Sequence, residues 1–422
     1  MTETKILNQK TNGFSKFCAW VVVLSPLLDA YYLPGTTTLI STAVLFVAAF
    51  TTLFFNYPRR FQLPQSYKWF IIYALLVPTI NQLVNFPIST IKSSLIAVGY
   101  YTFCLGVILP CIEWKDMIKA YKIIVLIAVA VFLLQEVCFM TIGRRFSALI
   151  PFLTVRYDGV GMTEFMINQS LSARSSSLFL EPAHFAQYIG PFLAILLGQA
   201  NDKKKVVYLP AILFSLILFF TKSGNGIFVL AVCWAFFILT YKMSFKMKLL
   251  ILIPFSAIAG FILFDIIAET EIGQQLLSRK DELVIGGTNW VSSGNVRISR
   301  GYLVFFEETF WDQLFGVGQG AIPAVIDQSR YLWMFGEERY TNVVQSLLMG
   351  AGYMGTGIFL MHIIGLYKSN NYAGKCVIIV LIALSFIESF LYGSKMMLII
   401  MLACACQKEF YESQNNIQSK KG

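Results

Sequence analysis

Long, nearly uncharged apolar runs are the feature that most constrains how this chain folds. Hydrophobic residues make up 57% of the sequence and charged residues only 13%, whereas soluble domains carry about a quarter charged residues. A helix needs roughly 20 mostly apolar residues to cross a bilayer. The runs allow helices of this kind, and helix breakers such as Pro58 and Pro64 fall between them. The sequence therefore predicts an all-α polytopic integral membrane protein in contact with the lipid bilayer.

The apolar runs predict about twelve transmembrane helices. They form a single membrane domain, residues 1–422. Residues 392–395 interrupt the last apolar stretch, so that stretch holds either one span or two. The predicted spans lie near residues 17–33, 36–56, 69–88, 93–112, 123–142, 183–200, 206–221, 225–241, 249–265, 341–365, 376–391 and 394–407.

Basic residues predict the orientation of these spans, because cytoplasmic loops carry an excess of lysine and arginine. With both termini in the cytoplasm, every inner segment is basic, and the short outer turns hold only Lys92, Lys222 and Lys395. Two long loops, residues 143–182 and 266–340, then lie outside. Loops of such length are usually functional. The net charge of +10 has its origin in this loop pattern, so no nucleic-acid partner is expected.

The eight cysteines fall in or beside apolar runs, and none shows Cys-x-x-Cys spacing. This placement supports neither a disulfide framework nor a zinc site. The sequence therefore predicts no metal centre.

Arginine is distributed unevenly along the chain, since nine of the eleven arginines lie in the two long outer loops. The planar guanidinium binds phosphate or carboxylate through two hydrogen bonds, which lysine cannot do. The asymmetry predicts an anionic ligand on the outer side of the membrane. The alternative is that these arginines pair with acidic residues of the same loops, such as Glu307 and Glu338. The nine are Arg144, Arg145, Arg156, Arg174, Arg279, Arg297, Arg300, Arg330 and Arg339.

Residues 296–314 predict an amphipathic helix in the second outer loop, with an apolar face toward the membrane or the helix bundle. The opposite face offers two guanidinium groups, those of Arg297 and Arg300, one turn apart. The predicted apolar face consists of Ile298, Tyr302, Phe305, Phe306 and Thr309, and the predicted polar face of Arg297, Arg300, Glu307 and Glu308.

Ionisable residues also lie near the outer ends of predicted spans, at Asp29, Glu136 and Glu388. A charged group at membrane depth is a functional hypothesis by default, but near the interface it can simply reach water. Glu388 and Lys395 can pair across the short turn between the last two runs. His362, at the inner end of its span, is interpreted as structural.

Three stretches at the outer loops carry a family resemblance. They are residues 174–186 (RSSSLFLEPAHFA) before a span, residues 297–320, where a predicted helix ends in a Gly-x-Gly turn, and residues 342–355 at the start of the next span. In this order and placement they resemble stretches of the bacterial O-antigen and capsule polymerases, the Wzy family. The resemblance covers the outer loops and their flanking helices, and elsewhere only topology and length match.

The family pattern pairs an arginine with a later glycine in each long loop, as Arg174 with Gly190 and Arg339 with Gly350 do in this chain. The chain departs from the pattern after its seventh predicted span. It has Thr221 and Lys222 where the family often has Ser-Arg, so a role for an arginine at that turn is in doubt.

The resemblance implies a glycosyltransferase that polymerises oligosaccharide repeat units carried on undecaprenyl diphosphate, at the outer face of the bacterial inner membrane. A sugar hydroxyl of one unit attacks the anomeric carbon of a growing chain and releases its lipid diphosphate. The reaction implies no cofactor, neither a nucleotide sugar nor an obligatory metal. A polysaccharide chain-length regulator is an implied protein partner.

The implied chemistry selects candidate residues. Arginines near the membrane surface stabilise negative charge that develops on the diphosphate, which gives Arg174 and Arg339 catalytic roles and makes Arg297 and Arg300 diphosphate-binding residues. The base that removes the hydroxyl proton is His184 or Glu181. The structural alternative is that Pro182 occupies the first position of a helix and Glu181 is an acidic residue at its N-terminus.

Three other functions compete with the polymerase. An O-antigen ligase has similar spans, but that family places a functional histidine in its last large outer loop, and residues 266–340 contain none. A flippase or secondary transporter often shows inverted repeats and interrupted helices with central charges, whereas charges avoid the helix centres in this sequence and no repeat is visible. A membrane scaffold without enzymatic activity is the third alternative.

Overall fold

The computed structural model describes residues 2–36, 38–55, 61, 63–156, 162–172, 174–202, 208–241, 299–335 and 339–418. Almost all regular structure in these residues is helical. A single pair of short antiparallel strands, β1 (Tyr31–Tyr32) and β2 (Thr154–Val155), joins the end of the first helix to the loop before the sixth. The α-helices are α1 (Thr2–Leu28), α2 (Ile40–Phe55), α3 (Gln65–Asn85), α4 (Ile88–Ile108), α5 (Trp114–Ile142), α6 (Met162–Leu171), α7 (Pro182–Asp202), α8 (Tyr208–Phe220), α9 (Gly224–Thr240), α10 (Arg300–Glu307), α11 (Phe310–Phe315), α12 (Ile322–Gln328), α13 (Val343–Ser369), α14 (Tyr372–Ser385) and α15 (Ser394–Gln418).

Among the described residues, three helical segments are long and apolar enough to cross a membrane, namely Ile88–Cys111, α5 and α13. Six shorter apolar segments of 10–17 residues accompany them, within α1, α2, α8, α9, α14 and α15. A helix occupies each predicted span that falls on described residues, and the predicted span 249–265 lies outside them. The prediction of an all-helical fold that contains helices long and apolar enough to span a membrane is confirmed, and the number of spans stays a prediction.

The ends of the helices meet in a layer that we call the upper end of the bundle. α1, α3, α5 and α14 end there, and α4, α7, α9, α13 and α15 begin there. Contacts between these ends define the layer. Ser394 of α15 donates a hydrogen bond to the Asp29 carboxylate after α1, and the Val343 amide of α13 donates to the Glu388 carbonyl at 2.9 Å.

The upper end is uneven, because helices that start side by side end at different heights. Ser15 of α1 donates to the Asp116 carboxylate of α5 at 2.6 Å, so the two helices are level at that point. From there α1 rises about 20 Å to Leu28, while α5 rises about 39 Å to Ile142, at 1.5 Å per residue. α5 therefore extends well beyond the end of α1, and the segment after α6 packs against this extension.

Small residues let α7 pack closely against its neighbours. Gly190, Ala194 and Gly198 recur at every fourth position of α7, the spacing that brings membrane helices into close contact. A Cβ atom on Gly190 would lie 2.7 Å from a methyl carbon of Val229 in α9, and one on Gly198 would meet the backbone of Ala373 in α14. α7 is thus held between α9 and α14.

α13 is broken at Gly352, where the sequence predicts a continuous span. Gly352 has a φ of 65° and a ψ of −174°, which is not helical. Residues 316–318 pass beside the break, with the Val317 amide donating to the Met349 carbonyl and the Gly318 amide to the Gly350 carbonyl, both at 2.9 Å. The backbone of the Gly-x-Gly stretch, residues 316–318, therefore packs between α13 and the α3–α4 pair.

Two further boundaries differ from the sequence prediction. The predicted helix 296–314 is two helices within its described part, α10 and α11, because Glu308 is extended and Thr309 caps α11 by accepting the Asp312 amide. The predicted span 376–391 ends early, since α14 stops at Ser385 and residues 386–393 form a turn before α15. The last apolar stretch therefore holds two helices.

Candidate functional site

The segment that precedes α7 is a fixed loop, although it has no regular structure. Ser177 has a φ of 56°, and the side chain of Gln135 in α5 binds it on both sides. The Gln135 oxygen accepts the Ser177 amide at 2.8 Å, and the Gln135 Nε2 donates to the Ser177 carbonyl at 3.2 Å. The Gln169 Nε2 donates to the Phe179 carbonyl at 3.1 Å. The loop is thereby tied to the extension of α5 and to α6.

An ion pair between the buried Arg145 and the half-buried Glu136 holds the start of the same loop. Arg145 is 4% exposed, and its Nη2 lies 3.0 Å from a carboxylate oxygen of Glu136. The guanidinium also donates to the Ser175 hydroxyl at 2.7 Å and to the Ser172 carbonyl at 2.5 Å. Ser175 in turn donates to Glu136. These contacts position Arg174, which lies between the two anchored serines and is itself half-buried.

Glu181 and His184 lie together at the upper end of α7, both half-buried. α7 begins at Pro182, which confirms that this proline occupies the first helical position. The Glu181 carbonyl accepts the amides of His184 and Phe185 at 3.1 and 3.3 Å. The two candidate bases therefore stand one helical turn apart on the same helix end.

A polar network connects the helix ends below this loop. The Lys395 ammonium, at the start of α15, donates to the side-chain oxygen of Gln187 in α7 at 2.8 Å. The Glu388 carboxylate accepts hydrogen bonds from Asn225 of α9 at 2.5 Å and from the Tyr340 hydroxyl at 3.1 Å. The network links four elements that are remote in sequence.

Charge surrounds Lys395 within the network. Its ammonium interacts electrostatically with the carboxylates of Glu388, Asp29 and Glu181 and with the guanidinium of Arg156. The Glu388–Lys395 pair that the sequence predicts across the turn is thus part of a larger group of charged side chains. This group brings Glu181, a predicted site residue, together with Lys395 and Gln187, neither of which was a predicted site residue.

Arg300 lies on the buried face of α10, contrary to its predicted place on the polar face. It is 5% exposed, together with the buried Gly301, Val304 and Phe305. Its Nε donates to the Tyr340 carbonyl at 3.0 Å and its Nη1 to the Met334 carbonyl at 3.1 Å. Both carbonyls lie more than 30 residues further along the chain and provide the hydrogen bonds that the buried charge needs. The helical pattern of α10 alone does not reveal these partners, so it predicts an exposed position for Arg300. The predicted partner Arg297 lies outside the described residues.

Arg339 directly precedes Tyr340, whose carbonyl binds Arg300. The guanidinium of Arg339 contacts a different residue. It has a φ of 40°, and its Nε lies 2.7 Å from a carboxylate oxygen of Asp327. Arg330 pairs with Glu307 at 3.2 Å. Arg330 and Arg339 therefore pair with acidic residues of their own loop, as the structural alternative predicts, whereas Arg145 pairs with Glu136 of α5. Arg144 and Arg156 are exposed, and Arg279 lies outside the described residues.

The described residues contain no group of three or more His, Cys, Asp or Glu side chains arranged to hold a metal ion.

His362, interpreted as structural from the sequence, is fully buried. Its ring packs against the rings of Tyr67 and Phe359, with centroids 5.0 and 6.2 Å away.

Glu308, between α10 and α11, has an unusual environment. Both of its carboxylate oxygens are buried and have no hydrogen-bond partner among the described residues. Burial, with the Asp312 carboxylate nearby, raises the pKa of Glu308 from 4.5 to about 9. The folded protein therefore keeps this proton at neutral pH, whereas the unfolded chain loses it.

This proton predicts a pH-dependent stability. Between the two pKa values, about 4.5 and about 9, the folded state binds more protons than the unfolded state, so the free energy of unfolding falls as pH rises. Glu308→Gln removes the titrating group. We expect the melting temperature of the wild type to fall more between pH 5 and pH 8.5 than that of Glu308→Gln, measured by thermal unfolding in detergent. Glu164→Gln, at an exposed position, serves as control, and equal slopes for all three proteins would contradict the prediction.

The chain matches no protein-family model and no curated protein sequence.

Proposed function

We propose that the chain is a polymerase that joins undecaprenyl-diphosphate-linked oligosaccharide units into O-antigen or capsule polysaccharide at the outer face of the bacterial inner membrane. In this proposal the chain has about twelve spans, both termini are cytoplasmic, and residues 143–182 and 266–340 are outer loops. The upper end of the bundle then faces the outer leaflet, where the lipid-linked units are displayed.

The observation that carries the proposal is the arrangement of residues 174–186. This stretch, which resembles the polymerase signature, forms a loop anchored by Gln135 and Arg145 and leads directly into α7. Glu181 and His184 stand at the top of α7, and Glu181 belongs to the charged group around Lys395. A fixed loop that presents a base beside a charged network is what a transfer reaction at a helix end requires, because catalytic groups must be held in position.

The proposed reaction assigns a task to each group. The acceptor hydroxyl attacks the anomeric carbon, the bond from that carbon to the diphosphate oxygen breaks, and the hydroxyl proton passes to His184 or Glu181. Arg174 and Arg339 stabilise the charge on the departing diphosphate, and Arg339 must first leave Asp327. Arg297 is proposed to bind the same diphosphate. Arg300 is proposed to contribute at that end of the site chiefly by holding the segment that carries Arg339, since its guanidinium is occupied by two carbonyls.

A second candidate is a flippase or secondary transporter, and one observation favours it. Transporters often contain interrupted helices near their substrate site, and α13 is interrupted at Gly352. In this chain, however, the interruption is filled by residues 316–318, so it leaves no open backbone at the break. An O-antigen ligase is the third alternative.

Deletion and complementation in the host test the proposal. We expect the deletion strain to carry single repeat units on its surface and the wild-type gene to restore a polymer ladder on a gel. Arg174→Ala and Arg339→Ala should each reduce polymerisation about a hundredfold, the usual effect of removing one group that stabilises transition-state charge. Arg330→Ala, at an exposed arginine paired with Glu307, is the matched control and should keep the ladder.

The other outcomes of the same gel identify the competing functions. Long polymer that accumulates on its lipid carrier in the deletion strain indicates a ligase. Single units that stay inside the cell indicate a flippase. Normal ladders from both arginine variants, at wild-type protein levels, would remove Arg174 and Arg339 from the site.

A further inference from the structure

Three large aromatic side chains are exposed on α10 and α11. Phe306, Phe310 and Trp311 are 62%, 68% and 64% exposed, and we call them the aromatic patch. The Trp311 ring lies edge-on to Phe310 and stacks on Phe315, with centroids 5.5 and 5.9 Å away. A group of exposed aromatic residues usually marks an interaction surface.

The bundle covers only the other apolar side of α10. Gly301, Val304 and Phe305 are buried on that side, and the Phe305 ring lies edge-on to Tyr353 of α13 at 5.1 Å. The sequence left open whether the apolar face of the predicted helix meets the bundle or the membrane. The structure has two apolar sides, and the aromatic patch is the one that the bundle leaves exposed.

Contacts with α3 give the height of α11 on the bundle. Asn81 of α3 donates to the Asp312 carboxylate at 2.6 Å, and the Tyr73 hydroxyl donates to the Phe315 carbonyl at 3.0 Å. α3 ends at Asn85 in the upper end of the bundle. At 1.5 Å per residue, α11 therefore contacts α3 about 6–18 Å below the end of that helix.

The protein surface on both sides of α11 is apolar at this height. α11 contacts α3 and α13, and α3 exposes Leu76 and Ile80 there. α13 is long and apolar enough to span a membrane. Its large exposed residues recur at helical spacing and so form one stripe along the helix, which consists of Tyr353, Met354, Leu360, Met361 and Ile364. The aromatic patch therefore continues the surface that a spanning helix presents to lipid.

The polar groups between α10 and α11 are satisfied inside the protein, as a membrane location requires. The Gln313 side chain donates to the carbonyls of Phe306 and Glu308 at 3.3 and 2.9 Å. The Thr309 hydroxyl donates to the Asp312 carboxylate at 2.6 Å, and both oxygens of the Glu308 carboxyl are buried. A loop in water can leave such groups to the solvent, so these internal contacts favour apolar surroundings.

An exposed ion pair marks the edge of this surface. Glu307, next to Phe306, pairs with Arg330 at 3.2 Å, and the Arg330 side chain is 72% exposed. Long basic side chains near the membrane surface extend their charge to the headgroups while their stems stay in apolar surroundings. The pair therefore places the aromatic patch close to the headgroups and not in the middle of the bilayer.

We propose that α10 and α11 insert the aromatic patch into the bilayer leaflet nearer the upper end of the bundle, at the boundary between acyl chains and headgroups. Tryptophan and phenylalanine are favoured at this depth. Arg300 of α10 holds the carbonyls of Met334 and Tyr340. The insertion therefore also fixes the height of the segment that carries Arg339. The inference concerns contact with lipid and does not depend on the proposed polymerase function.

The fluorescence of Trp311 tests this contact in the full-length protein. The protein is placed in nanodiscs whose lipids carry bromine atoms on their acyl chains, which quench a tryptophan that touches them. Subtracting the spectrum of Trp311→Phe from that of the wild type gives the emission of Trp311, because the other tryptophans cancel. We expect most of this emission to be lost in brominated nanodiscs. Little should be lost when iodide is added to the water around unbrominated nanodiscs.

Trp333 is the matched control. It is 66% exposed, but it adjoins Met334, whose carbonyl binds Arg300 at the start of α10. Its emission, obtained in the same way from Trp333→Phe, should be lost to iodide and largely kept in brominated nanodiscs. Size-exclusion chromatography checks that the variants fold. If Trp311→Phe does not accumulate, Phe306→Trp adds an emitter to the same patch, and brominated lipids should quench the added emission.

Three results would overturn the inference. If iodide but not brominated lipid quenches Trp311, the patch lies in water above the membrane. If neither quenches it, another protein surface, such as a second copy of the chain, covers the patch. If brominated lipids quench Trp311 no more than Trp333, α10 and α11 are not inserted more deeply than the rest of their loop.

Discussion

Replacing Gly352 by alanine is expected to prevent the chain from accumulating in folded form. Gly352 has a φ of 65° and a ψ of −174°, a conformation essentially restricted to glycine. A Cβ atom there would also lie 2.5 Å from the Leu314 carbonyl oxygen and 2.6 Å from the Gly316 amide nitrogen. Backbone strain and the steric overlap each cost about 1–3 kcal/mol, so the two together remove about 2–6 kcal/mol, a large part of the stability of an ordinary domain.

The same helix provides the control for this substitution. Gly357 is helical, and a Cβ added there has no neighbour within 4 Å. Gly357→Ala should therefore fold as the wild type does. Size-exclusion chromatography of a fluorescent fusion in detergent, followed by thermal unfolding, distinguishes the two variants. If Gly352→Ala gives the same monodisperse peak and melting temperature as Gly357→Ala, the break in α13 is not required by the fold.

Features that depend on local sequence could be predicted well. The helices of the described part follow the apolar runs, because each run is long enough to form a helix whatever its neighbours are. The start of α7 at Pro182 was predictable for the same reason, since proline suits the first helical position and lacks only an amide that has no partner there. The interruption at residues 392–395 left open whether the last apolar stretch holds one span or two, and the structure has two helices there.

Features that depend on distant partners could not be predicted. Arg300 was assigned to the polar face of its helix because it is charged, yet its guanidinium is buried against the carbonyls of Met334 and Tyr340. The break at Gly352 had no local signal either, since glycine is common in membrane helices and the backbone that fills the break comes from residues 316–318.

The candidate site was predicted only in part for the same reason. Glu181 and His184 share one helix end and one sequence motif, so reading the motif found both. Gln187 and Lys395 lie far apart in sequence, and only the packing of α15 against α7 brings them into contact. A lone basic residue beside a long apolar run was the one available signal for Lys395.

Arg145→Met is expected to destabilise the protein by about 3–5 kcal/mol, because it removes several hydrogen bonds of a buried charged group, each worth about 1.5–3 kcal/mol. The substitution removes the salt bridge to Glu136, the hydrogen bond to Ser175 and the hydrogen bond to the Ser172 carbonyl. It also removes the stacking of the guanidinium on the Phe139 ring at 3.7 Å. Because these contacts anchor the loop that carries Arg174, polymer formation should fall together with stability.

The adjacent residue serves as the control, because it carries the same charge as Arg145 but is not buried. Arg144 is exposed, so Arg144→Met should change the free energy of unfolding by no more than about 0.5 kcal/mol. Glu136→Gln combined with Arg145→Met removes both charges and should recover part of the loss, which a double-mutant cycle of melting temperatures measures. If the double variant is as unstable as the sum of the two single variants, Arg145 acts through its packing on Phe139 and its carbonyl contact. The ion pair with Glu136 would then not be what anchors the loop beside α7.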